Sequence, residues 1–252
     1  MKLKELIPGR KRLRQYWRDR RAEKTFQREF EEYKSLVADD RHQVAWEDRY
    51  PCLTDRTNNT EFDRHYIFHT AWAARVLANL KPTKHVDIGS SLYFIANVSA
   101  FVPVAFYDYR PAELNLHNVT THKGSLDALP FEDQSIESLS CMHVVEHVGL
   151  GRYGDPIDPQ GDKRAMSELQ RVVAVGGSLL FVTPVGKPKV CFNDHRVYGF
   201  DQVLDCFPEL ELEQFSLIPD SPDDGGLILE ADPSLVATQS YGCGCFWLRR
   251  KR

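Results

Sequence analysis

Apolar residues recur at three- and four-residue intervals in two stretches near the start of the chain and then condense into short runs. Residues 11–37 contain neither Gly nor Pro and place Phe26, Phe30, Tyr33 and Val37 at helical spacing, which predicts one long amphipathic helix. Residues 39–59 are polar and irregular. Thr60 and Asp63 then stand as in a capping box, predicting a second helix that runs to Leu80. Its apolar face comprises Phe62, Tyr66, His69, Trp72, Ala73, Val76 and Leu80, and it should pack on the sheet that follows. Beyond Lys84, β-rich runs at 85–88, 102–108, 119–125, 135–143 and 178–185 alternate with helical patterns, and runs at 210–218 and 243–249 close the chain. Strand, crossover and strand at this spacing predict an α/β fold: a doubly wound, mostly parallel seven-stranded sheet with a late hairpin-like pair. Residues 60–252 are expected to form this domain, and residues 1–59 a helical N-terminal extension and linker.

Composition narrows the setting. The 252 residues, 42% of them apolar, suffice for one large core, and no apolar run approaches the roughly 20 residues of a membrane span. The opening segment is basic but lacks an apolar stretch followed by a small-residue cleavage site, so no secretory signal is expected and the chain should be cytoplasmic. Six cysteines, at 52, 141, 191, 206, 243 and 245, include no C-x-x-C pair, so neither a zinc ribbon nor a disulfide framework is expected. Cys141, Cys243 and Cys245 fall in strand-like runs and read as small buried hydrophobes. The net charge of −4 conceals an uneven distribution: residues 1–28 carry eleven Lys or Arg against Glu5, Asp19 and Glu23, a balance of +8 that leaves −12 on the remainder. Such an arm is either a solvated helix face or a weak peripheral contact with an anionic membrane. An acidic main domain without a basic, aromatic-interleaved stripe argues against nucleic acid as a partner.

In a doubly wound sheet, ligands bind beyond the carboxyl ends of the strands. The first strand ends in Val86-Asp87-Ile88-Gly89-Ser90-Ser91, where Gly89 permits a tight turn, the amides of Ser90 and Ser91 can donate, and Asp87 can receive a cation or an amine. The second ends in Phe106-Tyr107-Asp108-Tyr109-Arg110-Pro111, which sets a carboxylate about 20 residues beyond the glycine turn, where it can accept ribose hydroxyls.

Gly124-Ser125-Leu126-Asp127-Ala128-Leu129-Pro130-Phe131, Ser135-Ile136-Glu137-Ser138-Leu139, His143-Val144-Val145-Glu146-His147, Arg171-Val172 and Gly176-Gly177 follow in order. The series resembles the class I S-adenosylmethionine-dependent methyltransferases. The segments 147–155 and 192–198 further resemble a bacterial methyltransferase-like family of unassigned function. The resemblance covers roughly residues 60–250 and implies a Rossmann-like methyltransferase fold with S-adenosylmethionine as cofactor. It implies that Asp87 and Gly89 border the methionine part, that Asp108 takes the ribose, that Leu126 lies against the adenine and that His143 lines the opposite side. Two positions depart from the pattern: Ser91 and Tyr93 stand where further glycines are usual, and Ser125 replaces an Asp that commonly meets the adenine amino group.

His143, Glu146 and His147 also spell H-x-x-E-H, a zinc arrangement when carried on a long helix. Here 135–144 reads as strand and Gly149 and Gly151 would end any helix, so no metal is expected. His65 and His69, one helical turn apart, are expected on a helix surface or a pocket wall rather than as ligands. Methyl transfer from a sulfonium asks the protein to align an acceptor, exclude water and, for a hydroxyl, remove a proton. The loop holding His147, Arg152, Tyr153 and Asp155 should face the segment holding Asn193, His195 and Arg196. Arg152 and Arg196 suit a small anionic or sugar-like acceptor, and His195, oriented by Asp194, is the expected base. The competing reading is a catalytically silent methyltransferase fold acting as a binding or scaffold protein.

Overall fold

A computed structural model describes residues 8–39 and 41–251. The chain divides into two compact units, Met1–Glu61 and Phe62–Arg252.

In the first unit, helix α1 runs Pro8–Leu36 and is followed by a single 3-10 turn at Trp46–Asp48. Phe26 and Phe30 meet the Trp46 ring with centroids 5.9 and 4.9 Å away, and the Arg49 guanidinium lies 4.4 Å from the same ring. Tyr33 and Val37, expected on this apolar stripe, are exposed. A Glu29–Arg56 ion pair fastens the returning segment to the helix.

The second unit opens with α2 (Arg64–Leu80), then β1 (His85–Ile88), α3 (Leu92–Val98), β2 (Val104–Asp108), β3 (Val119–Lys123) and β4 (Ile136–Met142). It continues with α4 (Gly161–Val172), β5 (Val173–Val185), β6 (Lys189–Cys191), β7 (His195–Val197), α5 (Phe200–Leu204), β8 (Leu210–Ile218) and β9 (Gly242–Arg250). Thr60 does not cap α2: the Asp63 side chain accepts from the Tyr66 amide at 3.1 Å, so the helix begins at Arg64. The principal sheet has the order β3-β2-β1-β4-β5-β9-β8. The first five strands in that order pair in parallel, whereas β9 runs antiparallel to both β5 and β8. The sequence therefore locates all seven strands of this sheet and the late antiparallel pair.

Alternation along the strands sends side chains into two cores, one on each face. Leu139, Leu179, Phe181 and Phe246 join Met166 and Leu169 of α4 on one side. Leu180, Val182, Cys243 and Cys245 join Trp72 and Leu77 of α2 and Ile95 of α3 on the other. The Trp72 indole donates to Gln214 Oε1 at 3.0 Å, so α2 is tied to β8 by a polar bond inside an apolar contact. The segment between β5 and α5, expected as open loop, is instead a small hairpin in which Cys191 pairs with His195 and Lys189 with Val197. Asn193 turns that hairpin with φ +66°, a conformation Asn tolerates better than most residues. No helix among the described residues is long and apolar enough to cross a membrane.

Candidate active site

The order of the sheet reverses between β1 and β4, and the crevice beyond their carboxyl ends is where such a fold accommodates a ligand. Its wall is set from beneath by a buried polar relay. Asp87 accepts the Ser90 amide at 3.0 Å and the Ser140 hydroxyl. Because that hydroxyl is spent on Asp87, Ser140 accepts from His85 Nε2 at 2.8 Å, and His85 Nδ1 accepts from Ser138 at 2.8 Å. Ser90 Oγ in turn accepts the Met142 amide at 3.1 Å. The turn after β1 is thus bonded to β4. Burial pushes the Asp87 carboxyl up to about 6, against the opposing hydrogen bonds from Ser140 and Ser90, and pushes the His85 imidazole down to about 3. Asp87 is fully buried and borders neither of the two cavities below. Its hydrogen bonds to the Ser90 amide and the Ser140 hydroxyl hold the turn.

Gly89 sits at φ +69°, and a Cβ there would stand 3.1 Å from Val144 and 3.6 Å from Asp108 Oδ2. Glycine keeps a cradle open that any side chain would fill. Two cavities meet at this cradle. The smaller, about 210 Å³, reaches from Gly89 to Asp108, Ser125 and Leu126. The larger, about 630 Å³, takes Ser90 and Ser91 on one side and His65, Tyr66, Arg152, Asp194 and Tyr241 on the others. Gly89, His143, His147 and Tyr153 line both. Asp108 Oδ1 accepts the Arg110 amide at 2.6 Å. Tyr93, at one of the positions that departs from the glycine pattern, is 85% exposed and does not obstruct the turn.

His143 follows β4 in the left-handed region, φ +57°, an unfavourable setting for a non-glycine residue that clusters at functional sites. Glu146 Oε1 lies 2.8 Å from its Nδ1, while His65 and Tyr66 stack alongside with ring centroids 5.3 and 5.5 Å away. Glu146 and His147 belong to a single 3-10 turn, Val145–His147, so the H-x-x-E-H string does not share one face of a regular helix. The next loop is folded on Asp155, which accepts the amides of Gly149, Gly151 and Tyr153. Burial raises the Asp155 carboxyl, but these donors outweigh it and hold it below the ordinary carboxylate range. At Gly149, φ +76°, a Cβ would collide with the Asp158 carbonyl at 2.1 Å.

The residues expected to face each other across the site separate into two groups. His147 Nδ1 lies 2.5 Å from the Asp194 carbonyl, which makes Nδ1 the donor and leaves the Nε2 lone pair free of that bond. Arg152 pairs with Asp194 at 2.5 Å and rests 5.3 Å from the Tyr153 ring, and both residues line the larger cavity. By contrast, Arg196 is buried and donates to the Val148 carbonyl at 2.6 Å with Asp162 3.5 Å away, so it braces the loop and does not offer itself to an anion. Asn193 points to the Leu150 carbonyl at 3.5 Å, and His195 is held by Asp194 at 2.9 Å and by the Tyr241 ring at 4.7 Å. Neither Asn193 nor His195 borders either of these two cavities. The His195 bond and the neighbouring cations hold the Asp194 carboxyl low.

Tyr241 and Tyr66 were not singled out from the sequence as site residues, and Glu146 entered only within the H-x-x-E-H string. Tyr241 is pushed up to about 12 by burial and nearby negative groups, chiefly Glu146, and His65 is pushed down to about 4 by burial and by His143. A signal existed for Tyr241 in the alternation Tyr241-Gly242-Cys243-Gly244-Cys245, which puts Tyr241, Cys243 and Cys245 on one face of the last strand.

Solved structures share this architecture at low sequence identity. The N-methyltransferase NodS of Bradyrhizobium japonicum, in complex with S-adenosyl-L-homocysteine, is 12% identical, with a TM-score of 0.54 over 76% of this chain and 90% of its own. The chain has the class I methyltransferase fold. A Galdieria sulphuraria protein to which sarcosine dimethylglycine methyltransferase activity has been attributed is 14% identical, with a TM-score of 0.51 over 73% of this chain and 86% of its own. The [4+2]-cyclase SpnF shares the fold at 12% identity and a TM-score of 0.52, over 77% of this chain and 85% of its own. One class I methyltransferase fold therefore carries more than one kind of chemistry. A family described as "Caenorhabditis protein of unknown function, DUF268" matches residues 131–207, the stretch from just before β4 through α5. No curated protein sequence matches the chain.

Proposed function

We propose that the chain transfers a methyl group from S-adenosylmethionine to a small polar acceptor held in the larger cavity. The observation that carries this reading is the junction of two cavities at Gly89, His143, His147 and Tyr153, beyond the carboxyl ends of β1 and β4. The residues present fit the cofactor. The Gly89 cradle is open, Asp108 directs one carboxylate oxygen toward it, and Leu126 offers a buried apolar surface for a purine. Asp108 would accept the ribose hydroxyls, Ser125 and Leu126 would flank the adenine, and Gly89, Ser90, Ser91 and His143 would hold the methionine end. When bound, the sulfonium supplies an electrophilic methyl group that needs no further activation by the protein.

The chain's own work is alignment, exclusion of water and removal of a proton. His147 is the residue we assign to the proton: it faces both cavities, and its Nδ1–H bond to the Asp194 carbonyl presents Nε2 as an acceptor. His195, the base expected from sequence, would act instead as an orienter of Asp194. Of the anionic or sugar-like acceptor, the geometry supports the sugar-like hydroxyl groups more than the anion. Arg196 is committed to carbonyls, and the Arg152 charge is already partnered by Asp194, so a phosphate or carboxylate would meet a site whose positive charge is largely neutralised. We assign the activity to residues 60–252 and leave residues 1–59 outside it.

The test is transfer of label from methyl-labelled S-adenosylmethionine to small molecules of a cell extract. Label in a fraction containing polar hydroxyl or amine compounds, absent when Asp108→Ala replaces the wild type, is the expected result. Cofactor binding without transfer to any fraction would favour the silent, scaffold reading.

A further inference from the structure

Two side chains of the larger cavity's wall, His65 and His143, converge with the buried Cys243 in an arrangement that methyl transfer does not require. His143 Nε2 lies 3.4 Å from Cys243 Sγ, and His65 brings its ring beside both, so that one ligand atom from each of the three lies within 4.8 Å of the others. We propose that His65, His143 and Cys243 bind a divalent transition metal of the zinc class.

Geometry and donor chemistry carry the proposal. Two metal–ligand bonds of about 2.0 and 2.3 Å at a tetrahedral angle separate an imidazole nitrogen from a thiolate sulfur by about 3.5 Å, which matches the distance between His143 and Cys243. A set of two imidazoles and one thiolate suits zinc, cobalt or copper and not magnesium or calcium. His143 is also prepared by its outer partner. Glu146 Oε1 accepts from Nδ1 at 2.8 Å and so fixes the tautomer whose Nε2 lone pair points at Cys243, the carboxylate–histidine pairing common behind metal-bound imidazoles. Glu146 is 1% exposed, and its second oxygen, buried beside this cluster, has no hydrogen-bond partner. A buried carboxylate with an idle oxygen is costly unless positive charge is near. The left-handed backbone of His143 is a further strain that a bound ion would offset.

Without metal, the Cys243 S–H donates to His143 Nε2. On binding, the S–H bond breaks, the proton leaves to solvent, and sulfur–metal and nitrogen–metal bonds form with no change of oxidation state. His65 closes on the ion from the cavity side by a small side-chain rotation. The fourth position then faces the cavity and takes water or, if the methyl-transfer reading holds, the heteroatom of the acceptor. The ligand set differs from H-x-x-E-H: His147 takes no part, and Glu146 supports from outside.

The experiment uses the full chain, stripped with a chelator and dialysed, then titrated separately with zinc(II) and cobalt(II). The wild type should retain one equivalent of zinc, and the cobalt form should show a near-ultraviolet thiolate-to-cobalt charge-transfer band. Cys243→Ser should abolish the band, and His65→Ala, a change at the cavity wall, should weaken zinc retention by about 10-fold or more. His147→Ala should keep both signals. Less than one retained equivalent in the wild type, a cobalt spectrum without the band, or zinc binding unchanged in His65→Ala would overturn the proposal. Calorimetry with S-adenosylhomocysteine on the same preparations reads the cofactor site separately, so failure of one does not pass for failure of the other.

Discussion

Asp108 stands at the end of β2 with one carboxylate oxygen on the Arg110 amide and the other toward the Gly89 cradle. Asp108→Ala should weaken S-adenosylhomocysteine binding by about 1.5–3 kcal/mol, the scale of a lost charge-assisted pair of bonds, and a calorimetric titration reads it. His147→Ala should lower turnover by about 10²-fold while leaving cofactor affinity intact; His195→Ala should lower it less, because His195 acts through Asp194. Equal losses from the two would return the base to His195. Asp108 was marked in the sequence by its spacing, a carboxylate about 20 residues beyond a glycine turn. His65 was expected on a helix surface or a pocket wall and lines the larger cavity, whereas Tyr241 was hidden because it comes from the edge of β9, and only the fold brings it against His65 and His65 against His143. Arg196 was misread because a charged residue in a polar segment looks solvent-facing until the carbonyls it satisfies are known.

Two neighbouring strands, β1 and β4, and the turn after β1 show how an element positions the site. His85 and Asp87 share Ser140 and titrate in opposite senses as folding proceeds. With the His85 imidazole down at about 3 from its ordinary 6.5, the unfolded chain takes up a proton first, so its contribution to stability is full above 6.5 and is lost as pH falls toward 3. With Asp87 up at about 6 from 3.8, the folded chain takes up the proton first, so its contribution is full below 3.8 and is lost as pH rises toward 6. Between about pH 4 and 6 the two slopes, each up to about 1.4 kcal/mol per pH unit, oppose one another. His85→Gln should therefore make the protein lose stability relative to wild type as pH rises through that window, and Asp87→Asn should do so as pH falls; urea unfolding at several pH values measures both. A parallel shift of the curves, with no change of slope, would refute this coupling. Gly89→Ala should cost about 1 kcal/mol or more in stability and weaken cofactor binding, since it adds both a strained φ and a contact with Val144. The long strands were legible because parallel central strands read as apolar runs, whereas β6 and β7, three residues each, are too short to show a period.

At the scale of the whole molecule, charge and fold divide along the chain. The eleven basic residues of segment 1–28 precede a unit of opposite net charge, and α1 exposes Tyr16 and Trp17 among its arginines. We expect weak sedimentation with anionic vesicles at low salt that disappears when residues 1–28 are deleted; unchanged sedimentation would reduce the arm to a solvated helix. The order of the seven sheet strands between residues 60 and 252 was readable, because each strand-to-helix alternation is a local pattern and the handed crossover rule leaves few ways to join them; the β6–β7 hairpin was not. The reaction was not equally readable, since the same fold serves NodS and SpnF. Methyl transfer by this chain requires first that the cofactor occupy the cavity pair that meets at Gly89. The most direct measurement is calorimetric titration of the wild-type chain with S-adenosylhomocysteine: the expected result is saturable binding of one equivalent, weakened in Asp108→Ala, and no detectable heat at millimolar ligand would contradict the account.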